Sequence, residues 1–199
     1  MLKNNNKLIN YKYVLVGDSA TGKSSIASRY ISNHFYEFQE PTIGASFLSK
    51  KISINDKEYK LEIWDTAGQE RYRSLAPMYY RNASAALIVY DITKKDSFIG
   101  AKTWINELKK KSNIECLLIL IGNKCDLEKY RKINKEEVNK FVEEEDIQHI
   151  EVSAKTGENI NYIFENTINI LIENNNEGII NNSRLIKEDN SSYSKCCQV

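Results

Sequence analysis

The stretch from Gly17 to Ser24, GDSATGKS, limits the fold more than any other part of this 199-residue chain. It follows a short apolar run at 11–17 and opens an amphipathic segment at 22–32. The spacing G-x-x-x-x-G-K-S between a strand and a helix is typical of a loop whose backbone N–H groups surround phosphate oxygens. Lys23 adds a positive charge for the outer phosphates, and the Ser24 hydroxyl is placed to bind magnesium. A glycine-rich turn without a ligand is the alternative, but the placement of the motif favours phosphate binding.

Apolar runs alternate with amphipathic or mixed segments along the rest of the chain. Short runs rich in branched residues are typical of buried strands, and the segments between them of helices. The pattern predicts strands at 11–17, 85–91, 116–123 and 147–154, and helices at 22–32, 96–111, 134–145 and 159–174.

One segment breaks this alternation. Residues 46–65 show period-two apolar residues on either side of NDKE, which predicts a hairpin of two antiparallel strands. The whole pattern therefore predicts a three-layer α/β domain over residues 1–174. We expect a mostly parallel six-stranded sheet with one antiparallel strand and helices on both faces. Its ligand should bind at the carboxyl ends of the strands.

Composition restricts the partners. The chain is 41% hydrophobic and 28% charged, as in ordinary globular proteins, and its formal net charge is only +1. We therefore expect no nucleic-acid partner.

The start of the chain lacks the continuous apolar core of a secretory signal, and the longest apolar runs fall far short of the ~20 residues that span a bilayer. After 174 the apolar pattern gives way to Asn, Ser and charged residues, which predicts a flexible tail at 175–199.

Two motifs extend the predicted phosphate site. In WDTAG, Asp65 stands at a strand end where a water-mediated magnesium contact belongs, and Gly68 lets its backbone N–H approach a terminal phosphate. Asp and Gly are common turn residues, so the motif is weak alone. Its value comes from its combination with the phosphate loop.

Two further motifs predict a guanine site. In NKCD, the Asp126 carboxylate can accept both the ring N–H and the exocyclic amine of guanine, whereas adenine presents a lone pair at that ring position. Asn123 can bind the other edge of the base while the Lys124 stem covers its face. In SAK, at 153–155, the Ala154 N–H can meet the guanine carbonyl oxygen and Lys155 can pack on the base or ribose. A polar loop after a buried strand would explain the location of these residues but not their combination.

These four elements, in this order over residues 13–172, resemble the Ras superfamily of small GTPases. PTIG at 41–44, the stretch 63–93 and the terminal cysteine pair are similar to the Rab family. EPTIGASFLSKKI with RSLAPMYYR is most similar to its early-endosomal branch. The resemblance implies a membrane-anchored switch that binds GTP or GDP with Mg²⁺, hydrolyses GTP slowly and recruits effectors for vesicle trafficking. It also implies an exchange factor, a GTPase-activating protein, a Rab escort protein or GDP-dissociation inhibitor, and a place on the cytoplasmic face of early endosomes, cycling with the cytosol.

The resemblance also assigns residues. Thr42 matches the threonine that covers the terminal phosphate and binds magnesium, Phe35 the aromatic that packs against guanine, and Gln69 the catalytic glutamine that orients the attacking water. The magnesium set is then Ser24, Thr42 and, through water, Asp65. The effector set is Phe47, Trp64 and Tyr79, with a simple core role for Phe47 and Trp64 as the alternative. The nucleotide-binding set is Gly17, Asp18, Ser19, Ala20, Thr21, Gly22, Lys23, Ser24, Ser25, Phe35, Thr42, Gly68, Asn123, Lys124, Asp126, Ser153, Ala154 and Lys155.

Cys196 and Cys197 stand side by side near the end of the chain. No His or acidic residue stands near them as a metal partner, and adjacent cysteines make a poor disulfide. One lipid chain gives only marginal membrane binding, and the tail has no net side-chain charge that could add a second signal. Its three basic and three acidic residues are Arg184, Lys187, Lys195, Glu177, Glu188 and Asp189. The Rab resemblance implies that both cysteines are prenylated.

Two other functions compete with the switch. A nucleoside or nucleotide kinase would need an acceptor pocket and lid arginines, whereas this chain has PTIG and DTAGQ in its loops. A GTP-binding scaffold that never cycles is the other alternative, and the intact Gln69 argues against it.

Overall fold

A computed structural model describes residues 8–111 and 116–189 of the chain. Six strands form one sheet in the order β2-β3-β1-β4-β5-β6. The strands are β1 Ile9–Val16, β2 Ala45–Ile54, β3 Lys57–Thr66, β4 Ala85–Asp91, β5 Leu117–Asn123 and β6 Gln148–Val152. The helices are α1 Lys23–Ser32, α2 Ala76–Tyr80, α3 Lys95–Lys111, α4 Lys135–Glu145 and α5 Ile160–Asp189, with two 3₁₀ segments at Glu70–Leu75 and Cys125–Tyr130.

The sheet confirms the predicted fold class. Strand β2 runs antiparallel to β3 at one edge, and the other strand pairs are parallel. The hairpin turn is shorter than NDKE: Asn55 and Asp56 alone form it, both with positive φ, and Lys57 already belongs to β3. Asn and Asp tolerate this left-handed conformation, which matches the twist of a two-residue hairpin.

Alternate residues of the central strands face two separate cores. Tyr13 and Leu15 of β1 pack with α1 and α5 on one face, whereas Val14 and Val16 pack with α2 and α3 on the other. This follows from the two-residue period of a strand. Every residue of β4 is buried, as expected for a parallel strand covered on both faces. The three layers predicted from the sequence are therefore present.

Helix α4 begins as its sequence predicts. The Asn134 side chain accepts a hydrogen bond from the Glu136 N–H, and Glu136 and Glu137 lie at the positive end of the helix dipole.

Helix α5 extends well past residue 174, the end that the apolar pattern predicts. Polar residues interrupt the apolar periodicity that marks a packed helix, but they do not prevent a helix from forming. Most of them lower helix stability by at most ~0.7 kcal/mol each relative to alanine. Residues 175–189 contain one glycine and no proline. Asn175 still contacts the domain, since its Nδ2 donates to the Tyr11 hydroxyl at 2.9 Å. The predicted boundary at 174 is therefore wrong as a helix end, and the last ten residues lie outside the described part of the chain.

No helix within residues 8–111 and 116–189 combines the length and apolar character needed to cross a membrane. The carboxyl ends of β1, β3, β5 and β6 lie at one edge of the sheet, and each is followed by one of the sequence motifs.

Candidate functional site

A cleft of about 380 Å³ opens at that edge of the sheet. Most of the predicted site residues line it: Ser19, Ala20, Gly22, Lys23, Ser24, Ser25, Phe35, Thr42, Gly68, Gln69, Asn123, Lys124, Asp126, Ala154 and Lys155. Residues that the sequence reasoning did not single out also line it, namely Tyr36, Glu37, Gln39, Glu40, Pro41, Thr66 and Leu127. The predicted residues Gly17, Asp18, Thr21, Asp65 and Ser153 are not among the lining residues and act behind the surface.

The loop between β1 and α1 is shaped by Gly22. This residue precedes α1 with φ of 93°, a left-handed conformation that a side chain rarely adopts. A Cβ there would lie 2.2 Å from the Asn123 Nδ2 atom. The loop can therefore approach Asn123 only because position 22 has no side chain. Its free N–H groups lead into α1, an arrangement that binds anions.

Lys23 is buried beneath this loop. Its Nζ donates to the carbonyl oxygens of Gly17 at 2.8 Å and Asp18 at 2.9 Å. Burial lowers the pKa of Lys23 to about 8, while the nearby carboxylates of Asp65 and Asp18 act in the opposite direction. The amine is thus mostly charged at neutral pH. Gly68 lies directly against it, since a Cβ at residue 68 would be 2.5 Å from Lys23 Nζ.

Asp65 lies behind the cleft with three hydroxyl groups around it, those of Ser24, Thr42 and, at 3.4 Å from Oδ2, Ser46. The Ser24 hydroxyl donates to Asp65 Oδ2 at 2.6 Å, and the Thr42 hydroxyl donates to the same oxygen at 3.3 Å. The Ser24 and Thr42 hydroxyl oxygens are 2.8 Å apart. Asp65 Oδ1 is buried and has no hydrogen-bond partner among the described residues.

Burial raises the pKa of Asp65, and its hydrogen bonds and Lys23 oppose that rise. A hard cation with oxygen ligands would satisfy both the orphaned carboxylate oxygen and the crowded hydroxyls. Mg²⁺ keeps several waters and needs only one or two protein carboxylates. The residues present therefore fit magnesium.

The other end of the cleft is built around Asn123 and Asp126. The Asn123 side chain donates to the Thr21 carbonyl at 2.8 Å and accepts from the Ala154 N–H at 3.2 Å. Ser153 is fully buried, and its hydroxyl donates to Asp126 Oδ1 at 2.6 Å. Ser153 thus orients the Asp126 carboxylate and does not itself face the cleft. The Asn123 side chain thus joins two loops and also lines the cleft, where its predicted contact with the base stays a prediction.

Lys124 crosses the same end of the cleft. It has a left-handed backbone with φ of 69°. Its Nζ forms an ion pair with Asp91 Oδ2 at 2.6 Å and donates to the Ala20 carbonyl at 3.1 Å. Lys124 and Phe35 both line the cleft, and the aliphatic stem of one and the ring of the other are apolar surfaces. A planar ring would fit between two such surfaces.

Asp18 and Thr21 stabilise the loop and do not reach into the cleft. The Thr21 hydroxyl donates to the Asp18 carbonyl at 2.9 Å. The Asp18 carboxylate hydrogen-bonds the Trp104 side chain of α3, and burial raises its pKa.

Sequence reasoning missed Arg29 and Gln39. Gln39 accepts a hydrogen bond from the Ser25 hydroxyl at 3.1 Å, which ties the segment 33–44 to α1. Arg29 donates to the carbonyl oxygens of Ala154 and Lys155. Neither residue belongs to a recognisable sequence motif. The partners of Arg29 are distant in sequence, and Gln39 is an ordinary surface side chain, so the sequence gives no signal for either contact.

The three aromatic residues assigned to effectors are adjacent. Phe47 and Trp64 face each other across β2 and β3, with ring centroids 5.2 Å apart. Tyr79 of α2 lies 5.9 Å from Trp64. Phe47 is 50% exposed, so a plain core role does not describe it.

Comparisons with known proteins identify the family to which the chain belongs. The Ras family matches residues 12–173 of the chain. The Ras-related protein RHN1 of Nicotiana plumbaginifolia is 52% identical over 164 residues, covering 82% of each chain. The Ras-related protein Rab-5A of Dictyostelium discoideum is 48% identical over 163 residues, covering 82% of this chain and 81% of its own. The Ras-related protein Rab5A of rice, Oryza sativa subsp. japonica, is 45% identical over 197 residues, covering 96% of this chain and 97% of its own. The chain therefore belongs to the Ras family of small GTPases, and within it to the early-endosomal branch of the Rab family.

Proposed function

We propose that this chain is a membrane-anchored switch that binds GTP or GDP with Mg²⁺, hydrolyses GTP slowly and recruits effectors for endosomal vesicle traffic. The observation that carries the proposal is that Lys23, Ser24, Thr42 and Asp126 line one cleft, with Asp65 directly behind the Ser24 and Thr42 hydroxyls. Lys23 would bind phosphate, the two hydroxyls with Asp65 would bind magnesium, and Asp126 would bind guanine.

Guanine would bind at the end of the cleft held by Asp126. The Ser153 hydroxyl occupies Asp126 Oδ1, which fixes the orientation of the carboxylate toward the ring N–H and amine. Phe35 and the Lys124 stem would cover the two faces of the base. Adenine would place a ring lone pair against a carboxylate, and it would be rejected.

The phosphates would bind at the loop before α1. Lys23 and the free N–H groups of the loop supply positive potential without rearrangement. Ser24, Thr42 and Asp65 would hold magnesium, which when bound would neutralise charge on the outer phosphates. Gly68 lets its backbone N–H come close to the terminal phosphate.

We infer slow intrinsic hydrolysis from the catalytic groups that line the cleft. Gln69 lines it and would orient the attacking water, but its amide is no general base at neutral pH. No arginine among residues 8–111 and 116–189 lines the cleft. An activating protein that inserts an arginine would supply the missing charge, a device worth up to ~10⁵ in rate in related enzymes.

Replacing Gln69 with leucine is expected to lower the rate of GTP hydrolysis on the order of 10-fold, because a positioned group that orients water is lost. Phosphate release under single-turnover conditions measures this rate. The affinity for GDP should not change, and Gln148→Leu, at the start of β6, is a matched control outside the cleft. An unchanged rate in the Gln69 variant would remove that residue from the mechanism. Release that requires an added acceptor substrate would favour a kinase.

Nucleotide affinity is expected to fall between pH 7 and 9. The pKa of Lys23 is lowered to about 8 by burial, and bound phosphate would raise it again by favouring the charged amine. Above pH 8, binding therefore takes up a proton, and affinity falls by up to ~10-fold per pH unit. Calorimetry in buffers with different ionisation enthalpies would measure both effects. A flat pH profile without proton uptake would contradict a lowered pKa of Lys23 in the free protein.

Effectors would bind the surface formed by Phe47, Trp64 and Tyr79. Ile43 and Met78 extend it, with 79% and 71% of their surfaces exposed. Thr42 directly precedes Ile43, and its hydroxyl already lies beside Ser24 and Asp65. Capture of Thr42 by magnesium and the terminal phosphate would order segment 41–44 and so alter the exposed aromatic surface.

Replacing both Cys196 and Cys197 with serine is expected to abolish membrane association while leaving nucleotide binding intact. Both cysteines lie outside the described residues, so this expectation rests on the neutral tail and the Rab relationship. Fractionation of cells that express the two chains measures it. Each single variant should bind membranes weakly, because one lipid chain is marginal. Persistent membrane binding by the double variant would refute the prenyl anchor.

A further inference from the structure

Arg29 lies on the last turn of α1, on the outer side of the base end of the cleft. Its Nε donates to the Ala154 carbonyl at 2.9 Å, and one terminal nitrogen donates to the Lys155 carbonyl at 2.6 Å. The other terminal nitrogen donates to the Asn33 carbonyl at 2.9 Å and to Asn33 Oδ1 at 3.2 Å. One guanidinium thus makes four hydrogen bonds, three of them to backbone carbonyls.

The carbonyls of Ala154 and Lys155 belong to the loop that follows β6, residues 153–157, which we call the base loop. On its inner side the base loop is held by Ser153, whose hydroxyl donates to Asp126, and by Asn123, which accepts from the Ala154 N–H. Arg29 holds its outer side. The position of the loop relative to the cleft is therefore set from two directions.

Asn33 fixes the guanidinium in turn. It ends α1 in a left-handed conformation with φ of 55°, and its N–H donates to the Arg29 carbonyl at 3.0 Å. Arg29 is therefore anchored to the turn of its own helix while it reaches across to the base loop. The stem also lies close to Gly157, since a Cβ at that residue would be 3.8 Å from Arg29 Cδ.

We propose that Arg29 is a positioning residue for base recognition: it holds the backbone of the base loop where the 6-oxygen of guanine can compete with the Asn123 Oδ1 atom for the Ala154 N–H. The inference rests on the proposed function, because it assumes that guanine occupies this end of the cleft. Arg29 itself touches no part of the nucleotide. It acts through the carbonyls of Ala154 and Lys155.

Lysine cannot replace this arginine. A guanidinium presents five donors in a rigid planar fork, whereas an ammonium is a point charge on a flexible stem. Three carbonyls in fixed directions require the fork. Arg29→Lys keeps the charge and removes only the geometry.

The test measures the affinities of wild type and Arg29→Lys for GDP and for 6-thioguanosine diphosphate. The analogue keeps the ring N–H, the 2-amine and both phosphates, and replaces the 6-oxygen by sulfur, a weaker acceptor. The affinity of the variant for GDP should be ~10-fold lower than that of wild type, as expected for the loss of one well-placed hydrogen bond. Its affinity for the analogue should be lower by ~3-fold or less. A purely structural role would weaken both ligands equally, and that result would overturn the proposal.

Two controls accompany this test. Arg131→Lys removes an equally multidentate arginine, which pairs with Glu128 and Glu151, and should change neither affinity. Asn33→Gly keeps the left-handed turn but removes the Oδ1 atom that accepts a hydrogen bond from Arg29. Its affinity for GDP should fall ~2-fold, and its affinity for the 6-thio analogue should fall less. If Arg29→Lys does not fold, equal losses for both ligands in Asn33→Gly overturn the proposal, and a selective loss supports it. If wild type does not prefer GDP to ADP, the proposed function fails first.

Discussion

Replacing Lys23 with alanine is expected to weaken GDP and GTP binding at least ~30-fold, because truncating one partner of a desolvated charge pair costs roughly 2–5 kcal/mol. The amine is buried. The change also leaves the carbonyls of Gly17 and Asp18 without their donor, which lies 2.8 and 2.9 Å away. Equilibrium titration with a fluorescent GDP measures the loss.

Lys50→Ala is the matched control for this loss. Lys50 also donates to a backbone carbonyl, that of Tyr30, at 2.9 Å, and its Nζ lies 4.0 Å from the centroid of the Tyr30 ring. It does not line the cleft. Its removal should leave affinity unchanged. If the two variants bound GDP equally well, Lys23 would have no role in phosphate binding.

The second large effect is expected for Asp126→Asn. The amide keeps the hydrogen bond from Ser153 but presents a donor where guanine also donates. Two charge-assisted hydrogen bonds to the base are lost, about 3–4 kcal/mol or on the order of 100- to 1,000-fold in GDP affinity. Xanthine carries a carbonyl oxygen in place of the amine and can accept from the new amide, so the variant should prefer xanthosine diphosphate.

Competition of the two nucleotides for one labelled ligand measures this reversal. Asp56→Asn makes the same chemical change in the hairpin turn, where asparagine tolerates the positive φ, and should alter neither affinity. An Asp126 variant that still preferred GDP would mean that the base is read by another group.

Local sequence patterns predicted most of the fold because local physics determines it. The apolar runs that became β4 and β5 are buried on both faces, so their composition alone marks them. The phosphate loop and the three motifs at strand ends were predicted to converge, since parallel strands bring their carboxyl ends to one edge. The cleft contains residues of all four motifs.

The features that the sequence does not predict depend on tertiary contacts. The end of α5 could not be predicted from apolar periodicity, because a helix can continue where its packing signal stops. The base contact of Asn123 stays a prediction, but the sequence does not predict that its side chain also joins Thr21 and Ala154 in the folded loops. Arg29 carries no motif at all. Its two partners in the base loop are 125 and 126 positions away, and only the fold brings them together.

Equilibrium binding of GDP against ADP to the purified chain with Mg²⁺ tests the central claim most directly. A site built to hydrogen-bond one base rejects an analogue lacking those groups by on the order of 10⁴-fold. We therefore expect GDP to bind on the order of 10⁴-fold more tightly than ADP. Equal affinity for the two nucleotides, or preference for ADP, would contradict the guanine-nucleotide switch.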